Sequence, residues 1–347
     1  MVERTDMSRV TIQDVADAAG VSRAAVSKVI RDAYGVSPAM RERVNETIER
    51  LEYRPSVSAR GMRGATLTLG IEIPTFANQY FAQVIAGITD ALTDTPYQLI
   101  IAPTERSSRE GYRAIQALSD RQVDGIIAVS PLVERGWLEK FANTMPTVML
   151  GRHDDSRHYD TVVGDDAAGT QVAMEHLFNL GHRDIVHVAP GEDVTLSGSG
   201  TPHSLRLDGY LSAMTRSGRE DFVRIIRSDN SEQGAYEATM ALLEEHVPTA
   251  IFAGNDEPAL GILRALAEKR LENTVSVVGY DDTDAARHPL ISLTSVAQSG
   301  TETGRRSVEL LLERIGGRTE PVHEVFEPRL VERKSSGPVG EILRKDN

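Results

Sequence analysis

Residues 10–30 read VTIQDVADAAGVSRAAVSKVI, and this stretch predicts two short helices joined by a sharp turn. Thr11 and Asp14 have the spacing of a capping box, and apolar residues recur on one face of the helix that follows. Gly20 ends that helix, and Ser22 can cap the next one. Because only about three residues separate the two helices, we predict a helix-turn-helix.

A third helix follows in the same N-terminal segment. It begins at Ser37-Pro38, where a capping residue precedes a proline at the first helical position, and its apolar face extends to about Tyr53. Three helices of this length can enclose a minimal core, so we assign residues 1–54 to a small all-α domain. A helical hairpin that closes an N-terminal arm is the simpler alternative for such a pattern.

The charge of this domain differs from that of the rest of the chain. The whole chain has a net charge of −13, yet residues 1–65 contain 11 Lys and Arg against 9 Asp and Glu. Residues 22–31 contain Arg23, Lys28 and Arg31 and no acidic residue. Positive charge concentrated on one short helix favours an anionic partner such as nucleic acid.

Residues 67–336 alternate apolar stretches of strand length with helical patterns. Such βαβ repetition predicts parallel, doubly wound sheets, and the pattern restarts with a helix near residue 168. Two sheets of this size imply two lobes. Because ligands of open α/β sheets bind beyond the carboxyl ends of the strands, two facing lobes would enclose a solute in a cleft.

Composition and motifs exclude or disfavour several functional classes. The 347 residues are 40% hydrophobic and 26% charged, as in ordinary globular protein, and the lack of cysteine excludes disulfides and thiolate chemistry. No GxSxG, HExxH or Walker pattern occurs, so we expect no enzymatic activity, no metal site and no cofactor. The sequence shows neither a signal peptide nor a membrane-spanning stretch, so we expect a cytoplasmic, nucleoid-associated protein.

The N-terminal stretch, together with GVSPAMRERVNETIERLEYRP, resembles the DNA-binding headpiece of the lactose-repressor (LacI/GalR) family of transcriptional regulators. The body resembles the family core in NLGHRDIVHVAP, PTAIFAGNDEPALGILRAL, VSVVGYDDTDAA and SLTSVAQSGTETGRRSVELLLERI. This resemblance implies an all-α helix-turn-helix headpiece and an α/β, periplasmic-binding-protein-like core of two doubly wound parallel-sheet lobes. The implied bounds are a headpiece at 1–54, a hinge helix or linker at 55–66, lobe one at about 67–163 and 297–325, lobe two at about 164–296 and 326–336, and a tail at 337–347.

In this family the second helix of the headpiece lies in the major groove of DNA. The resemblance therefore assigns DNA contacts on or beside that helix to Arg23, Ala24, Ser27, Lys28 and Arg31. Ala25 stands where the family commonly has threonine, which leaves Arg23 as the best candidate for bidentate pairing to a guanine.

The hinge carries a second set of implied DNA contacts. Met62 stands where the family usually has leucine, and there it would insert into the minor groove as an apolar wedge. Arg60 and Arg63 flank it and would meet phosphates. On composition alone, with two glycines in about two turns, the segment would be a flexible tether instead.

The resemblance also nominates the residues that would bind a small-molecule effector in the cleft. They stand at or near predicted strand ends, and they are Glu72, Asn78, Tyr80, Phe81, Arg152, Arg206, Asp229, Asn255, Asp256, Asp281 and Gln298. Asp229 departs from the family, where many sugar-binding members have an aromatic residue, and Gly151 stands where aspartate is common. A structural alternative remains for some of them, since Asn255 or Asp256 could instead begin a helix.

Taken with the resemblance, these features indicate a dimeric, ligand-controlled regulator that binds a palindromic operator, favouring a repressor released by a sugar or sugar derivative. A phosphate would require two or three bases in the cleft, whereas only Arg206 and Arg152 are candidates. A phosphosugar, purine or protein co-effector remains the alternative within the family. A solute-binding protein or an enzyme is the remote alternative from other classes.

Overall fold

The computed structural model describes residues 10–30, 33–53, 65–104, 108–129, 132–192, 194–196 and 199–340. They form two compact units, which divide between Thr66 and Leu67. Within these ranges, no helix combines the length and the apolar character that crossing a membrane requires.

The first unit contains three helices, which are α1 (Ile12–Ala19), α2 (Arg23–Ile30) and α3 (Pro38–Arg50). The predicted capping box is confirmed, because the Asp14 amide donates to Thr11 Oγ1 at 3.3 Å and the Thr11 amide donates to Asp14 Oδ2 at 2.7 Å. Gly20 ends α1 at a φ of 64°, in the left-handed region that glycine tolerates. Ser37 caps α3, again as predicted.

A small apolar core holds the three helices of the first unit together. Val15, Val26 and Val44 contribute one side chain from each helix, and all three are fully buried. Tyr53 closes the end of this core. Val26, Val29 and the partly buried Ile30 of α2 pack against this core, whereas Arg23, Ala24 and Lys28 stay exposed for contacts outside the unit.

The second unit is built from alternating strands and helices. Its strands are β1 (Thr68–Ile73), β2 (Gln98–Pro103), β3 (Gly125–Ala128), β4 (Thr147–Leu150), β5 (Asp160–Gly164), β6 (Ile185–Ala189), β7 (Arg224–Arg227), β8 (Ala250–Ala253), β9 (Ser276–Asp281), β10 (Thr294–Ala297), β11 (His323–Phe326) and β12 (Arg329–Val331). Its α-helices are α4 (Gln79–Leu92), α5 (Ser108–Asp120), α6 (Arg135–Ala142), α7 (Asp166–Asn179), α8 (Pro202–Arg216), α9 (Glu232–Glu245), α10 (Asp256–Glu268), α11 (Asp284–Arg287) and α12 (Gly300–Ile315).

These strands form two six-stranded sheets, one in each lobe. The first sheet has the order β11-β5-β4-β3-β1-β2 and the second has the order β12-β10-β9-β8-β6-β7. Among the described residues, β10 pairs with β12 in the antiparallel sense, and every other strand pair is parallel. Two parallel-dominated sheets are what the βαβ repetition predicts.

The chain passes between the lobes three times. It leaves the first sheet after β5, returns after β10 so that α12 packs on α4, and crosses again between β11 and β12. Glycines permit the close packing of α4 on α12, because a Cβ at Gly87 would lie 1.9 Å from the Thr301 carbonyl oxygen. The crossing after β10 contains Ser299 at a φ of 56°. These crossings bring the carboxyl ends of both sets of parallel strands to one cleft.

Candidate functional site

In the first unit, α2 carries the predicted DNA contacts on an exposed face. Arg23, Ala24 and Lys28 are exposed and Ser27 is half-buried, whereas Val26 and Val29 point into the core. None of the eight residues of α2 is acidic. This face therefore presents positive charge beside small side chains, the combination that lets a helix approach a DNA groove.

The other predicted DNA contacts are Arg31, Arg60, Met62 and Arg63, and they lie outside the described residues.

A cavity of about 530 Å³ lies in the core unit. Many of its lining residues lie at or shortly after the carboxyl end of a strand, as expected for open parallel sheets. They are Pro74, Thr75, Asn78, Tyr80, Phe81, Thr104, Val129, Leu132, Leu150, Gly151, Val163, Gly164, Asp166, Pro190, Gly191, Val194, Pro202, His203, Arg206, Ser228, Asp229, Asn230, Asn255, Glu257, Asp281 and Gln298.

One polar group in the lining is the buried ion pair between Arg206 and Asp166. The Arg206 guanidinium donates from Nε to Asp166 Oδ1 at 2.8 Å and from Nη1 to the Gly254 carbonyl at 2.6 Å. It also lies 3.7 Å from the centre of the Tyr280 ring. Arg206 is thus oriented on three sides, which fixes its position at the cavity wall.

The carboxylate of that pair also binds a histidine from the lobe-one side. His153 Nε2 lies 2.8 Å from Asp166 Oδ2. Burial alone would raise the pKa of Asp166, but Arg206 and His153 outweigh it and hold the pKa below its usual value. Asp166 is therefore an ionised carboxylate that links lobe one to α8 of lobe two.

A second polar group surrounds Asp281 at the end of β9. Asn255 Nδ2 donates to Asp281 Oδ2 at 2.9 Å, and Gln298 Nε2 donates to Asp281 Oδ1 at 2.5 Å. Asn230 extends this series of hydrogen bonds by donating from Nδ2 to Asn255 Oδ1 at 3.2 Å. Burial raises the pKa of Asp281 to about 7. The positive charge of Arg206 opposes this rise, and the nearby carboxyl of Asp256 adds to it.

The backbone at Asp281 has a conformation that non-glycine residues rarely adopt. Its φ is 115°, and the next residue, Asp282, has a φ of 52°. Such conformations cost of order 1–3 kcal/mol each and persist where surrounding contacts over-determine them, often at functional sites. The strained turn aims Asp281 into the cavity.

Eight of the eleven residues predicted to bind an effector line the cavity: Asn78, Tyr80, Phe81, Arg206, Asp229, Asn255, Asp281 and Gln298. Glu72 is buried beneath the lining, where its carboxylate accepts hydrogen bonds from Thr104 Oγ1 at 3.0 Å and from the Val129 amide at 2.9 Å. Since Thr104 and Val129 both line the cavity, Glu72 supports its wall.

Two further predicted residues, Arg152 and Asp256, also lie outside the lining. The Arg152 guanidinium turns toward Asp154, with Nε 2.5 Å from Asp154 Oδ2, and toward the Val133 carbonyl. Asp256 accepts hydrogen bonds from Ser295 Oγ at 2.6 Å and from the amide and hydroxyl of Thr283. Asp256 therefore holds the turn that follows β9, so the structure assigns it a supporting position rather than one in the cavity.

Sequence reasoning missed several polar residues of this region, among them His153, Asp166, His203 and Asn230. One signal in the sequence could have revealed Asp166. Asp165 and Asp166 are two carboxylates directly after the apolar strand that ends at Gly164. Asp165 caps α7 through the Ala168 amide, which leaves Asp166 to the cavity. Among the described residues, no group of three His, Asp or Glu side chains is arranged to hold a metal ion.

Comparison with known proteins identifies relatives for both units. The family model described as bacterial regulatory proteins, lacI family, matches residues 11–56, and the periplasmic binding protein-like domain matches residues 174–336. The chain is 32% identical to catabolite control protein A of Priestia megaterium over 335 residues, which are 94% of this chain and 99% of that protein. It is 30% identical to the ribose operon repressor of Escherichia coli K12 over 339 residues, 94% of this chain and 99% of that protein.

Among solved structures, the lac repressor dimer bound to operator and the anti-inducer ONPF is similar to this chain. The TM-score is 0.76 at 29% sequence identity, and the match covers 95% of this chain and 100% of that chain.

Proposed function

Because the chain belongs to the lacI family of bacterial regulatory proteins, we propose that it is a dimeric repressor that binds a palindromic operator and is released when a sugar or sugar derivative fills its cavity. Membership of the family makes it a DNA-binding, ligand-responsive transcriptional regulator. The observation that carries the proposal is that one chain combines an exposed, acid-free helix in the headpiece with a polar cavity at the strand ends of the core.

On the DNA side, Arg23 pairs with a guanine in the major groove, while Ala24 and Ser27 face the groove and Lys28 contacts a phosphate. Arg23 and Lys28 are exposed on α2, which supports these roles. The hinge at residues 55–66 adds Met62 as a minor-groove wedge. The division into a headpiece at 1–54, this hinge and a core at 67–336 belongs to the same proposal.

The DNA-binding half is tested by selecting the sequences that the full chain binds from a random pool. We expect a palindromic consensus. Arg23→Ala then weakens binding and relaxes base preference at one symmetric pair of positions, since a bidentate contact to guanine contributes about 1–3 kcal/mol of discrimination. Lys28→Ala is the matched control, because loss of a phosphate contact lowers affinity on all sequences alike and flattens the salt dependence. Unchanged base selectivity in Arg23→Ala would rule out its role.

On the effector side, the charges of the lining favour a neutral polyhydroxy ligand. Arg206 is the one basic side chain among the described lining residues other than histidine, and it is already paired with Asp166. A phosphate group would therefore meet few counter-charges and several carboxylates. Asp281, Asn255 and Arg206 provide the mixed acceptors and donors that neighbouring sugar hydroxyls require.

Release from DNA requires the ligand to stabilise one arrangement of the lobes over another, because a ligand shifts an equilibrium only by its difference in affinity for the two states. We propose closure of the lobes, with pivots near 163–166 and 296–298. Both pivots adjoin the lining, through Gly164 and Gln298, so a bound ligand acts directly on them.

The remaining parts of the proposal concern activity and place of action. Members of the family are transcriptional regulators, and we propose that this chain has no enzymatic activity of its own. We also propose that it acts in the cytoplasm, at the nucleoid, where operator DNA lies. A thermal-shift screen of neutral sugars, phosphosugars and purines on the full chain tests the effector class, and stabilisation by phosphosugars or purines alone would contradict it.

A further inference from the structure

We propose that His153 is a positioning residue that couples closure of the two lobes to the effector site. Its imidazole holds Asp166, and through Asp166 it fixes Arg206, while the lobes are in contact. This inference rests on the proposed function, because it names the contact by which closure of the same cavity acts on operator binding.

The two lobes are in direct contact in this structure. Helix α4 of lobe one contacts the turn after β9 of lobe two, where Gln83 Nε2 donates to the Asp282 carbonyl at 3.2 Å. In the same turn, the Ala285 amide donates to Gln79 Oε1 at 3.2 Å. Both of these bonds end on backbone groups of lobe two. The contact made by His153 differs, because it ends on a charged side chain of the effector site.

His153 belongs to a loop that is fastened to lobe one. The loop lies between β4 and β5, and the Asp154 carboxylate holds it together. This carboxylate accepts hydrogen bonds from Tyr159 Oη at 2.6 Å, from Arg152 Nε at 2.5 Å and from the Ser156 amide at 3.2 Å. Tyr159 is fully buried in an apolar cluster of lobe one. Lobe one therefore sets the position of His153.

Hydrogen bonds from its backbone and its side chain join His153 to lobe two. Its amide donates to the Gly200 carbonyl at 3.3 Å, and its Nε2 lies 2.8 Å from Asp166 Oδ2. Because Asp166 is ionised and can only accept, Nε2 carries the hydrogen of the second bond. Gly200 lies just before α8, the helix that Thr201 caps and that carries Arg206. Opening of the lobes breaks both bonds.

Asp166 divides its carboxylate between His153 and Arg206. Oδ2 faces His153, and Oδ1 accepts from Arg206 Nε at 2.8 Å. The Asp166 side chain is only 2% exposed, so water does not readily replace a donor that Oδ2 has lost. Without His153, Asp166 can accept a second N–H of the same guanidinium, as bidentate arginine–carboxylate pairs do. Arg206 would then turn away from the Gly254 carbonyl, to which its Nη1 donates in the closed arrangement.

His153 acts on the effector site from outside the cavity. Arg206 is one of the described lining residues, whereas His153 is not. A loss of sugar affinity on replacing His153 therefore reports weaker closure rather than a lost contact with the sugar. Weaker closure also means that a saturating sugar releases less operator, because the sugar acts only through its difference in affinity for the two arrangements.

The test measures the factor by which saturating sugar lowers the operator affinity of the full chain, by fluorescence anisotropy. The probes are ribose, xylose, glucose, galactose and cellobiose, and the sugar that releases the parent is used for the variants. We expect His153→Leu to reduce this factor at least about fivefold, because it removes a hydrogen bond to a charged group. Operator affinity without sugar should stay within about twofold of the parent, since the open lobes do not use this bond. His153→Gln restores most of the factor, because its amide NH₂ can donate from the same position.

His158→Leu is the matched control, because His158 lies in the same loop but bonds within lobe one, with Nδ1 2.9 Å from Asn143 Oδ1. It should leave the factor unchanged. A parent-like factor in His153→Leu, or no recovery in His153→Gln, would overturn this inference and leave the proposed function in place. If no probe releases the parent from operator, the sugar effector and this inference both fall. Should His153→Leu fail to fold, His153→Ser takes its place, because serine is too short to reach Asp166.

Discussion

Replacing Asp281 with asparagine tests the centre of the effector site. The two carboxylate oxygens of Asp281 each accept one amide hydrogen bond, from Asn255 at 2.9 Å and from Gln298 at 2.5 Å. An asparagine side chain keeps one oxygen and must direct its NH₂ group toward one of these donors. The variant therefore loses one acceptor of the pair and, above a pH of about 7, where Asp281 is ionised, the negative charge that a ligand hydroxyl would meet.

The expected magnitude follows from the kind of bond that is lost. A hydrogen bond from a sugar hydroxyl to a buried carboxylate contributes about 1.5–3 kcal/mol. Asp281→Asn should therefore weaken sugar binding by ~10- to 150-fold. Because Asp281 lies in the core unit and the headpiece has an apolar core of its own, operator binding without ligand should stay near that of the parent. The variant would act as a permanent repressor.

Calorimetry with the sugar and fluorescence anisotropy with the operator measure the two effects separately. Asp284→Asn is the matched control, since it makes the same chemical change three residues along the chain at a carboxylate that is 87% exposed. Undiminished sugar binding by Asp281→Asn would refute its role in the effector site. Loss of operator binding by the ligand-free variant would instead make Asp281 a structural residue.

Three further predictions concern the hinge, the buried ion pair and pH. Met62→Ala reduces DNA bending and operator affinity but leaves ligand binding intact, and equal bend angles for variant and parent in a gel-shift series would rule out the wedge. Asp166→Asn lowers the free energy of unfolding by about 3–5 kcal/mol because it leaves Arg206 buried without its counter-charge, and a denaturant titration showing no loss would contradict this. Burial raises the pKa of Asp281 to about 7, so the native state holds a proton that the unfolded chain releases near pH 4. The stability that Asp281 contributes relative to Asp281→Asn therefore falls as pH rises from ~4 to ~7, and a rise over that range in parallel urea titrations would show the sign to be wrong.

Local signals in the sequence predicted the fold well because they act over a few residues. The spacing of Thr11 and Asp14 predicts a capping box, Gly20 predicts a helix end, and both are present. The βαβ repetition predicts parallel sheets for the same reason, since each strand and helix is specified by its own apolar pattern. The fold class followed from these patterns together with the family resemblance.

The site was predicted less completely, because side-chain direction and long-range pairing are not local properties. Asp256 lies shortly after β8 and Asp281 ends the neighbouring strand β9, yet the Asp281 side chain lines the cavity, at a positive φ, while Asp256 bonds to Ser295. The pairing of Asp166 with Arg206 joins residues 40 positions apart, and no spacing rule connects them. Arg152 lies outside the cavity lining and turns instead to Asp154, a counter-charge two residues away in the same loop.

The most direct test of ligand-controlled repression is to measure operator affinity first without the effector and then at increasing effector concentrations. Full-length protein is mixed with the selected palindromic operator, and its affinity is measured by fluorescence anisotropy at increasing concentrations of the sugar that stabilises the chain. We predict that operator affinity falls as the cavity fills, by the same factor by which operator lowers sugar affinity, because coupling between two sites is reciprocal. Operator affinity that stays constant or rises while calorimetry shows the cavity occupied would contradict release by the ligand.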